Sequence, residues 1–549
     1  MPSVTSVGAE TPPVSVRAGG LPAAAVPRPR RFVRSVLSNW AFSLVELAVG
    51  FVLPRLISDR LGQELLGVWD VSWSLVFWVR WTNLGVIGAV TRYVARYRTL
   101  RDWNQLNATV NTSLMFLVVA AAGALALGVL FAALGSRLLH DPSLQAVAAS
   151  GWIILLLTGA AALQMPAGVF NSIITGYERF DLLNLIRCAR DIGVLLAMAG
   201  LLVSGHGLVA CALVPVTAEV LASGVKYLVA CRICPELRFS RRYCHWRTAR
   251  DLGLFGGKTV LRDAARGGMY HLSNLLVAGF LGPAAVAVYS RQRTLVMYLT
   301  RFVKQYANVF IPASSELHAG GDVPALRRML IDSGRYAFYI ALPPIWLLVL
   351  LGGPLLEIWM GPSYSAPWAL GILAVGHALT IPQTSVYSLL MGMNRHGLVG
   401  LFEAVSLALG LALGWLLIGP LRWGLVGAAV ALTGPLVLSG GVLLPWYACR
   451  HLGLPLGSYL RRVFVGPLAA SLPLAACLLL ARVLPLPHVV ARVVFALLLG
   501  GSVTALVYWR WVVPAGLKAR LVRGAERGRA VLAALAFRSV ARPSGEARP

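Results

Sequence analysis

The sequence predicts an all-α polytopic membrane protein of about fourteen transmembrane helices, built as two related lobes. Three observations support this fold class: the composition, the spacing of the apolar segments and an internal repeat. Of the 549 residues, 58 % are hydrophobic and only 13 % are charged, whereas soluble domains carry about 25 % charged residues. The apolar excess is spread along the chain in segments long enough to cross about 30 Å of hydrocarbon.

The apolar segments form fourteen candidate spans joined by mostly short connections. Spans seven and eight are the least apolar, because each contains several arginine or lysine residues. Their apolar residues nevertheless recur at helical spacing, which favours helices over loops. The spans are predicted near residues 36–58, 67–90, 111–134, 147–174, 183–204, 207–230, 255–281, 284–310, 330–352, 367–391, 396–418, 422–446, 462–484 and 488–512.

An internal repeat divides the chain into two halves. Three short motifs occur twice, in the same order and at a nearly constant offset. Six spans separate the two copies, an even number, so the halves have the same orientation in the membrane. Parallel repeats of this kind are a transporter architecture with the substrate site between the halves. The paired motifs are Leu61-Gly62 with Leu281-Gly282, Gly176-x-x-Arg179 with Gly392-x-x-Arg395, and Gly207-Leu208 with Gly424-Leu425.

The net charge of +28 would suggest a nucleic-acid partner in a soluble protein. In a membrane protein, Lys and Arg instead accumulate in cytoplasmic loops. With the N-terminus in the cytoplasm, the inside segments hold about 35 of the 49 basic residues and the outside loops about six. This asymmetry predicts that both termini are cytoplasmic. It excludes a nucleic-acid partner, because the positive charge is dispersed over many loops.

No motif predicts catalysis, a metal site or a cofactor. The outside loops are too short for a catalytic domain, which disfavours a membrane glycosyltransferase or a polysaccharide polymerase. Cys231 and Cys234 have the spacing of half a zinc site, but the second pair of ligands is missing. The glycines before Lys258 have the wrong spacing for a phosphate-binding loop. An ion gradient, the membrane potential or removal of the product must therefore drive transport.

Three segments resemble a known family, the bacterial polysaccharide (O-antigen-type) flippases. They belong to the multidrug/oligosaccharidyl-lipid/polysaccharide (MOP, MATE-like) exporter superfamily. The resemblance covers nearly everything from about residue 35 to 512, and its motifs are glycines and aromatic residues at helix ends. The segments are LPRLISDRLGQELLGVWDVSWSLVFWVRWTNLGVIGAVTRYVAR at 53–96, GYERFDLLNLIRCARD at 176–191, and the run from Leu281-Gly282 through Tyr289 to Pro312.

The resemblance implies two six-helix lobes around a central cavity, with two extra C-terminal helices. It also implies alternating-access transport of an undecaprenyl-diphosphate-linked oligosaccharide from the inner to the outer leaflet of the bacterial inner membrane, as in lipopolysaccharide synthesis. A polysaccharide polymerase or glycosyltransferases would then be partners, beside the membrane lipids. The expected domains are a disordered cytoplasmic tail at 1–35, lobes at 36–245 and 246–460, two extra helices at 461–514 and a basic cytoplasmic tail at 515–549.

Cations within the spans are the candidate substrate-binding groups. They are costly in hydrocarbon and usually face water or a partner, and nearly all of them lie on spans two, seven and eight. In the resembled fold these spans line the cavity, where guanidinium groups could bind a diphosphate through paired hydrogen bonds. Arg291 is predicted to point away from the face that the other cations of span eight share. The candidate residues are Arg80, Arg262, Arg266, Arg293, Arg301 and Lys304.

A coupled transporter also needs a carboxylate whose charge changes with ion occupancy. The candidates are Glu46, Asp70 and Asp263, with Glu46 first and a salt bridge across the cavity as its alternative role. Asn39, Asn83 and Asn274 are candidates for sugar contacts, or alternatively for helix–helix hydrogen bonds. Two related functions stay open: a multidrug or cation antiporter, which the arginines disfavour because its substrates are cationic, and a flippase for peptidoglycan lipid precursors.

Overall fold

The computed structural model describes residues 29–513 and 518, except 84, 136, 138, 396 and 485–488. It also leaves undescribed the side chains of 29–33, 35, 36, 247, 251–263, 265 and 266. The predicted tails at 1–35 and 515–549 therefore lie almost entirely outside the described residues. Every regular element in the described part of the chain is a helix, as the composition predicts.

Seven helices form the first lobe. Helix α5 lies at its centre and packs against α2, α3, α4 and α7, while α1 packs along α6. Helices α2 and α3 are consecutive in the chain and are separated by a short 3₁₀ turn, Arg80–Asn83. The helices are α1 (Pro29–Leu61), α2 (Gln63–Val79), α3 (Val86–Leu100), α4 (Trp103–Gly135), α5 (Leu144–Gly176), α6 (Phe180–Val203) and α7 (Leu208–Ile233).

The linker between the lobes is held against α4 by two asparagine side chains of that helix, which form hydrogen bonds with the linker backbone. Asn107 donates to the carbonyl of Glu236 and accepts from the N–H of Arg238, at 3.0 and 2.7 Å. Asn111, one helical turn later, makes the same pair of contacts with Arg238 and Ser240. These reciprocal bonds satisfy an extended segment that has no strand neighbour.

The second lobe contains the long helices α8 and α9 and those that follow them. Helix α14 packs on α8, α12 packs on α15, and the last two helices, α18 and α19, pair with each other against α11. The helices are α8 (Trp246–Leu281), α9 (Pro283–Asn308), α10 (Phe310–Ala319), α11 (Val323–Met360), α12 (Pro367–Thr380), α13 (Gln383–Gly392), α14 (Gly397–Ile418), α15 (Gly424–Leu436), α16 (Leu444–Leu452), α17 (Leu456–Leu460), α18 (Gly466–Val483) and α19 (Val489–Val507).

Ten helical segments of the described chain are long and apolar enough to cross a membrane. The predicted count of about fourteen includes four more: α2 with α3, α6, α8 and α9. Helices α2 and α3 are each too short alone, at 17 and 15 residues. The other three carry clusters of charged residues, such as Arg187, Arg190 and Asp191 in α6. The four predicted spans that hydropathy misses are therefore the interrupted one and the three charged ones.

The repeat predicted from Leu61-Gly62 and Leu281-Gly282 is visible in the backbone. Gly62 precedes α2 with φ 90° and ψ 168°, and Gly282 precedes α9 with φ 82° and ψ 171°. This conformation is essentially restricted to glycine. The second repeated motif matches as well, since Glu178 and Asn394 both adopt positive φ, at 59° and 56°. Two of the three repeated motifs therefore form the same turns in both lobes, whereas the third differs, with φ −75° at Gly207 and 56° at Gly424.

The beginnings of α2 and α9 pack directly against each other. A Cβ atom on Gly67 would lie 1.7 Å from the carbonyl oxygen of Pro283, so only glycine permits this approach. Beside it, Gln63 donates to the carbonyl of Ala284 at 3.1 Å. Ser58 and Tyr364 add a hydroxyl contact of 2.6 Å between the lobes. The end of the molecule that holds Gly62 and Gly282 is therefore closed.

Replacing Gly67 by Ala should loosen this contact. The added methyl group forces the two helices apart, and overpacking of this kind costs about 1–3 kcal/mol. Gly88→Ala on α3 is the matched control, because nothing lies within 4 Å of the added Cβ, and it should leave stability unchanged or raise it by up to about 1 kcal/mol. Thermal unfolding of both variants in the same detergent measures the difference. Equal midpoints would contradict the close contact.

Candidate functional site

A cavity of about 670 Å³ lies between the two lobes. We call it the central cavity. Its walls come from α1 and α2 of the first lobe and from α8 and α9 of the second. These are the spans that the sequence predicts to carry intramembrane charge. Its charged and aromatic wall residues are Glu46, Trp69, Asp70, Tyr270, His271, Arg291, Arg293, Tyr298 and Arg301.

An ion pair joins the lobes across this cavity. Both carboxylate oxygens of Asp70 on α2 accept hydrogen bonds from Nη2 of Arg291 on α9, at 2.6 and 2.7 Å. The side chains are only 12 % and 7 % exposed, so each charge depends on the other for stabilisation. Arg291, which the sequence places on a different face of span eight from the other cations, also lines the cavity. The cavity wraps around α9 and meets more than one of its faces.

Arg293 is held differently, by neutral groups alone. Its Nη1 donates to the carbonyl of Tyr270, to Ser273 Oγ at 3.3 Å and to Asn274 Oδ1 at 3.0 Å. The Asn274 amide in turn donates to Ser74 of α2 at 3.0 Å. Among the described residues no carboxylate lies within ion-pairing distance of Arg293. The guanidinium of Arg293 is therefore held in the cavity wall without a counter-charge among the described residues.

The remaining charges of α9 lie further along the helix. Nη1 of Arg301 donates to Glu46 of α1 at 2.9 Å, in a pair whose side chains are 59 % and 48 % exposed. This is the salt bridge that the sequence allows as the alternative role of Glu46. Exposed pairs contribute about 0–1 kcal/mol, so this pair can open at little cost. Lys304 is exposed and does not line the central cavity.

A second space of about 270 Å³ lies inside the first lobe, and we call it the side pocket. Arg80 lines it rather than the central cavity, so the structure separates Arg80 from Arg293 and Arg301. Glu219 lies in its wall and bonds to Arg190 at 2.9 Å and to Lys226 at 2.8 Å. The two spaces share wall residues Val49, Leu53 and Trp69.

The three asparagines are widely separated. Asn274 belongs to the Arg293 network described above. Asn83 Oδ1 accepts from the backbone N–H of Gly85, at 2.9 Å, in the turn between α2 and α3. Asn39 on α1 accepts from the amide of Asn184 on α6. Only Asn274 is held against a residue of the central cavity wall.

Arg262, Arg266 and Asp263 lie on α8, but their side chains fall outside the described residues. Their roles remain predictions. Sequence reasoning missed Tyr298 of α9, an aromatic residue of the cavity wall that stacks on Phe51 of α1 at 5.3 Å. It also missed the Asp70–Arg291 pair. The repeat contained a signal for this pair. Asp70 lies eight residues after Gly62 (70 − 62) and Arg291 nine residues after Gly282 (291 − 282), so the two opposite charges occupy similar positions on equivalent helices.

The Asp70→Asn variant should destabilise the protein strongly. It leaves the guanidinium of Arg291 buried without its counter-charge, and breaking a buried pair costs about 3–5 kcal/mol. Asp332→Asn is the matched control, because its pair with Arg335 is exposed on one helix and should cost less than about 1 kcal/mol. Thermal unfolding in detergent measures both. The double variant D70N/R291Q should recover part of the loss. Equal destabilisation of all three variants would contradict a coupled pair.

Comparisons with known proteins agree with this architecture. A sequence profile of the polysaccharide biosynthesis protein family matches residues 99–367. A protein of Shigella flexneri named "Putative O-antigen transporter" is 22 % identical over 436 residues, covering 76 % of this chain and 98 % of that protein. The "Uncharacterized membrane protein EpsK" of Bacillus subtilis (strain 168) is 23 % identical over 253 residues, covering 46 % of this chain and 50 % of that protein.

Two solved structures share the fold. The lipid II flippase MurJ in an inward closed conformation superposes with a TM-score of 0.67 at 10 % identity, covering 88 % of this chain and 100 % of that one. An inward-facing multidrug resistance MATE transporter of the MOP superfamily superposes with a TM-score of 0.63 at 15 % identity, covering 77 % and 98 %. The predicted fold class is confirmed. The similarities indicate a membrane transporter rather than an enzyme, and the chain is similar in sequence to the polysaccharide biosynthesis protein family over residues 99–367, just under half of its length.

Proposed function

We propose that this protein translocates an undecaprenyl-diphosphate-linked oligosaccharide from the inner to the outer leaflet of a bacterial inner membrane. The flipped glycan would serve polysaccharide biosynthesis, and a polymerase or glycosyltransferases would act before or after it. One observation carries the proposal: Arg293 presents a guanidinium to the central cavity, and its hydrogen-bond partners among the described residues are all neutral. A diphosphate is the anion that such a group binds well, through charge-assisted hydrogen bonds.

The charge balance of the cavity wall supports an anionic cargo. Among the described residues, three arginines face two carboxylates, Glu46 and Asp70. The carboxylates are already engaged by Arg301 and Arg291, so Arg293 carries the excess charge. A cationic drug would be repelled by that charge, which disfavours the multidrug antiporter. A peptidoglycan precursor has the same diphosphate, so the cavity charge alone does not separate it from other lipid-linked glycans.

In an alternating-access mechanism, one end of the central cavity is closed while the other end is open to the substrate. With both termini in the cytoplasm, as the distribution of arginine and lysine favours, the closed contact around Gly67 and Pro283 faces the outside. A state closed on the outside is the one that accepts a substrate from the cytoplasmic leaflet. The residue ranges 36–245 and 246–460 would then be the two moving lobes, and 461–514 the two extra helices.

The Arg293→Gln variant should lose the bound cargo. Mass spectrometry of lipids that co-purify in mild detergent should find a polyprenyl-diphosphate glycan with the unaltered protein and at least tenfold less with the variant. Arg293→Lys, which keeps the charge but not the planar fork, should retain an intermediate amount. Arg335→Gln is the control, because Arg335 lies in an exposed pair outside both cavities.

The lipid analysis also separates the alternatives. A polyprenyl-diphosphate muropeptide would identify a peptidoglycan precursor flippase. Small organic cations without any lipid-linked glycan would overturn the proposal in favour of the antiporter. In a proteoliposome assay, replacing both Arg262 and Arg266 by Ala should abolish flux while the protein still folds and inserts. Normal flux in that double variant would remove these two residues from the diphosphate site.

Ion coupling is proposed for Glu46, with Asp70 and Asp263 as further candidates. Glu46 is the carboxylate whose ion pair is most exposed, so an ion can reach it from the cavity. Replacing Glu46 by Gln should remove the dependence of flux on an imposed proton or sodium gradient while leaving downhill exchange of the lipid. Flux through proteoliposomes, with and without each gradient, measures this. Unchanged coupling would assign the role to another carboxylate.

A further inference from the structure

The side pocket contains an arginine that the ion pairs around it leave unmatched. Arg80 lies in the pocket wall and is exposed to the space. No described carboxylate lies within ion-pairing distance of its guanidinium, and it makes no hydrogen bond with a described residue. The neighbouring Arg190, by contrast, bonds to Asp191 at 2.7 Å and to Glu219 at 2.9 Å. The lobe thus satisfies one arginine fully and leaves the other open.

The acidic residues nearby are already occupied. Glu219 receives both Arg190 and Lys226, and its side chain is 4 % exposed. Asp191 is engaged by two nitrogens of Arg190, at 2.9 and 2.7 Å. Neither carboxylate is free to turn toward Arg80 without breaking a short bond to another cation. A neutralising group for Arg80 must therefore come from outside this cluster.

The chain is interrupted at Arg80, as is typical of a binding site in a membrane transporter. Helix α2 ends at Val79, a 3₁₀ turn covers Arg80–Asn83, and Gly85 has φ 68° before α3 begins. Irregular backbone at membrane depth is tolerated where it lines a cavity, and interrupted helices commonly mark the substrate site. Arg80 is the first residue of this interruption, and its side chain faces the pocket.

The other wall residues suit a sugar ring. Trp73 is 37 % exposed and presents an aromatic surface, against which the apolar face of a pyranose can pack. Gln164 donates to Glu219 at 3.5 Å, and its amide oxygen is an acceptor for a sugar hydroxyl. The volume of about 270 Å³ lies just below the usual range for small-molecule sites, about 300–1,000 Å³. The pocket therefore has room for a single sugar unit, not for a whole oligosaccharide.

The side pocket lies next to the central cavity. Val49, Leu53 and Trp69 line both spaces. His271, in the wall of the central cavity, stacks on Phe77 of α2 at 4.0 Å. The first sugars of a ligand whose diphosphate binds at Arg293 would therefore lie beside the wall that the two spaces share.

We propose that the side pocket is a glycan subsite that selects a sugar ring carrying an anionic group, such as a hexuronate. Arg80 binds the carboxylate, Trp73 packs on the ring and Gln164 bonds to a hydroxyl. The subsite rests on the proposed flippase function, because the lipid diphosphate brings the sugar to it. It goes further in giving the glycan a chemical class: the cargo carries a negative charge on its sugars in addition to the diphosphate.

Two synthetic lipids test the subsite. They are undecaprenyl-diphosphate disaccharides that differ only in the terminal sugar, glucuronate or glucose, titrated against the protein in nanodiscs by native mass spectrometry. The unaltered protein should bind the glucuronate lipid at least tenfold more tightly. Arg80→Gln should abolish that preference while binding the glucose lipid as before. Arg80→Lys should keep part of it. Arg96→Gln, on an exposed position of α3, should retain it in full.

The outcomes separate the subsite from the proposed function. If both lipids bind equally well and only Arg293→Gln weakens them, the subsite is wrong and the flippase proposal stands. If neither lipid binds, the flippase proposal fails, and the subsite is tested alone with methyl β-glucuronide and methyl β-glucoside by saturation-transfer NMR. An Arg80-dependent signal from the glucuronide alone would then support the subsite, and no signal would overturn it.

Discussion

A charged side chain at membrane depth must find a counter-charge or face water, because its transfer into hydrocarbon costs several kcal/mol. In this protein the Asp70–Arg291 pair meets that condition between the lobes, with 7–12 % of each side chain exposed. The pair exists only where α2 and α9 lie side by side, and each residue would be costly alone. The two buried charges are therefore neutralised only when the two lobes pack against each other.

The ion pairs fall into two groups with different consequences. Glu219, Arg190 and Lys226 lie entirely within the first lobe, so they stay together when that lobe moves as one body. Asp70–Arg291 and Glu46–Arg301 cross from one lobe to the other, so they must lengthen or exchange partners when the lobes separate. In the proposed mechanism, an anionic cargo between the lobes would replace the lost carboxylates and so lower the cost of the movement that carries it.

The fold was predictable because apolar length, repeats and arginine distribution are local properties of the chain. Gly62 and Gly282 could be matched as short motifs, and that match kept α8 and α9 as spans although hydropathy alone rejects them. The pairing of charges was not predictable in the same way. Asp70 and Arg291 are 221 residues apart, and helical spacing placed Arg291 on a separate face without showing that this face meets Asp70. Which arginine is neutralised depends on how the lobes pack, and a linear pattern does not contain that information.

The two ends of the interface between α2 and α9 differ in a way that directs movement. Near Gly67 the contact is backbone against glycine, so the helices touch with no side chain between them. Further along α9, the contacts with the first lobe are made by long side chains, Arg291 to Asp70 of α2 and Arg301 to Glu46 of α1, which can change rotamer without breaking the helices. With a tight contact at one end and exchangeable contacts along the rest, α9 would rotate about the glycine contact rather than slide along α2. Opening would therefore proceed from the cavity toward the glycine contact, which separates last.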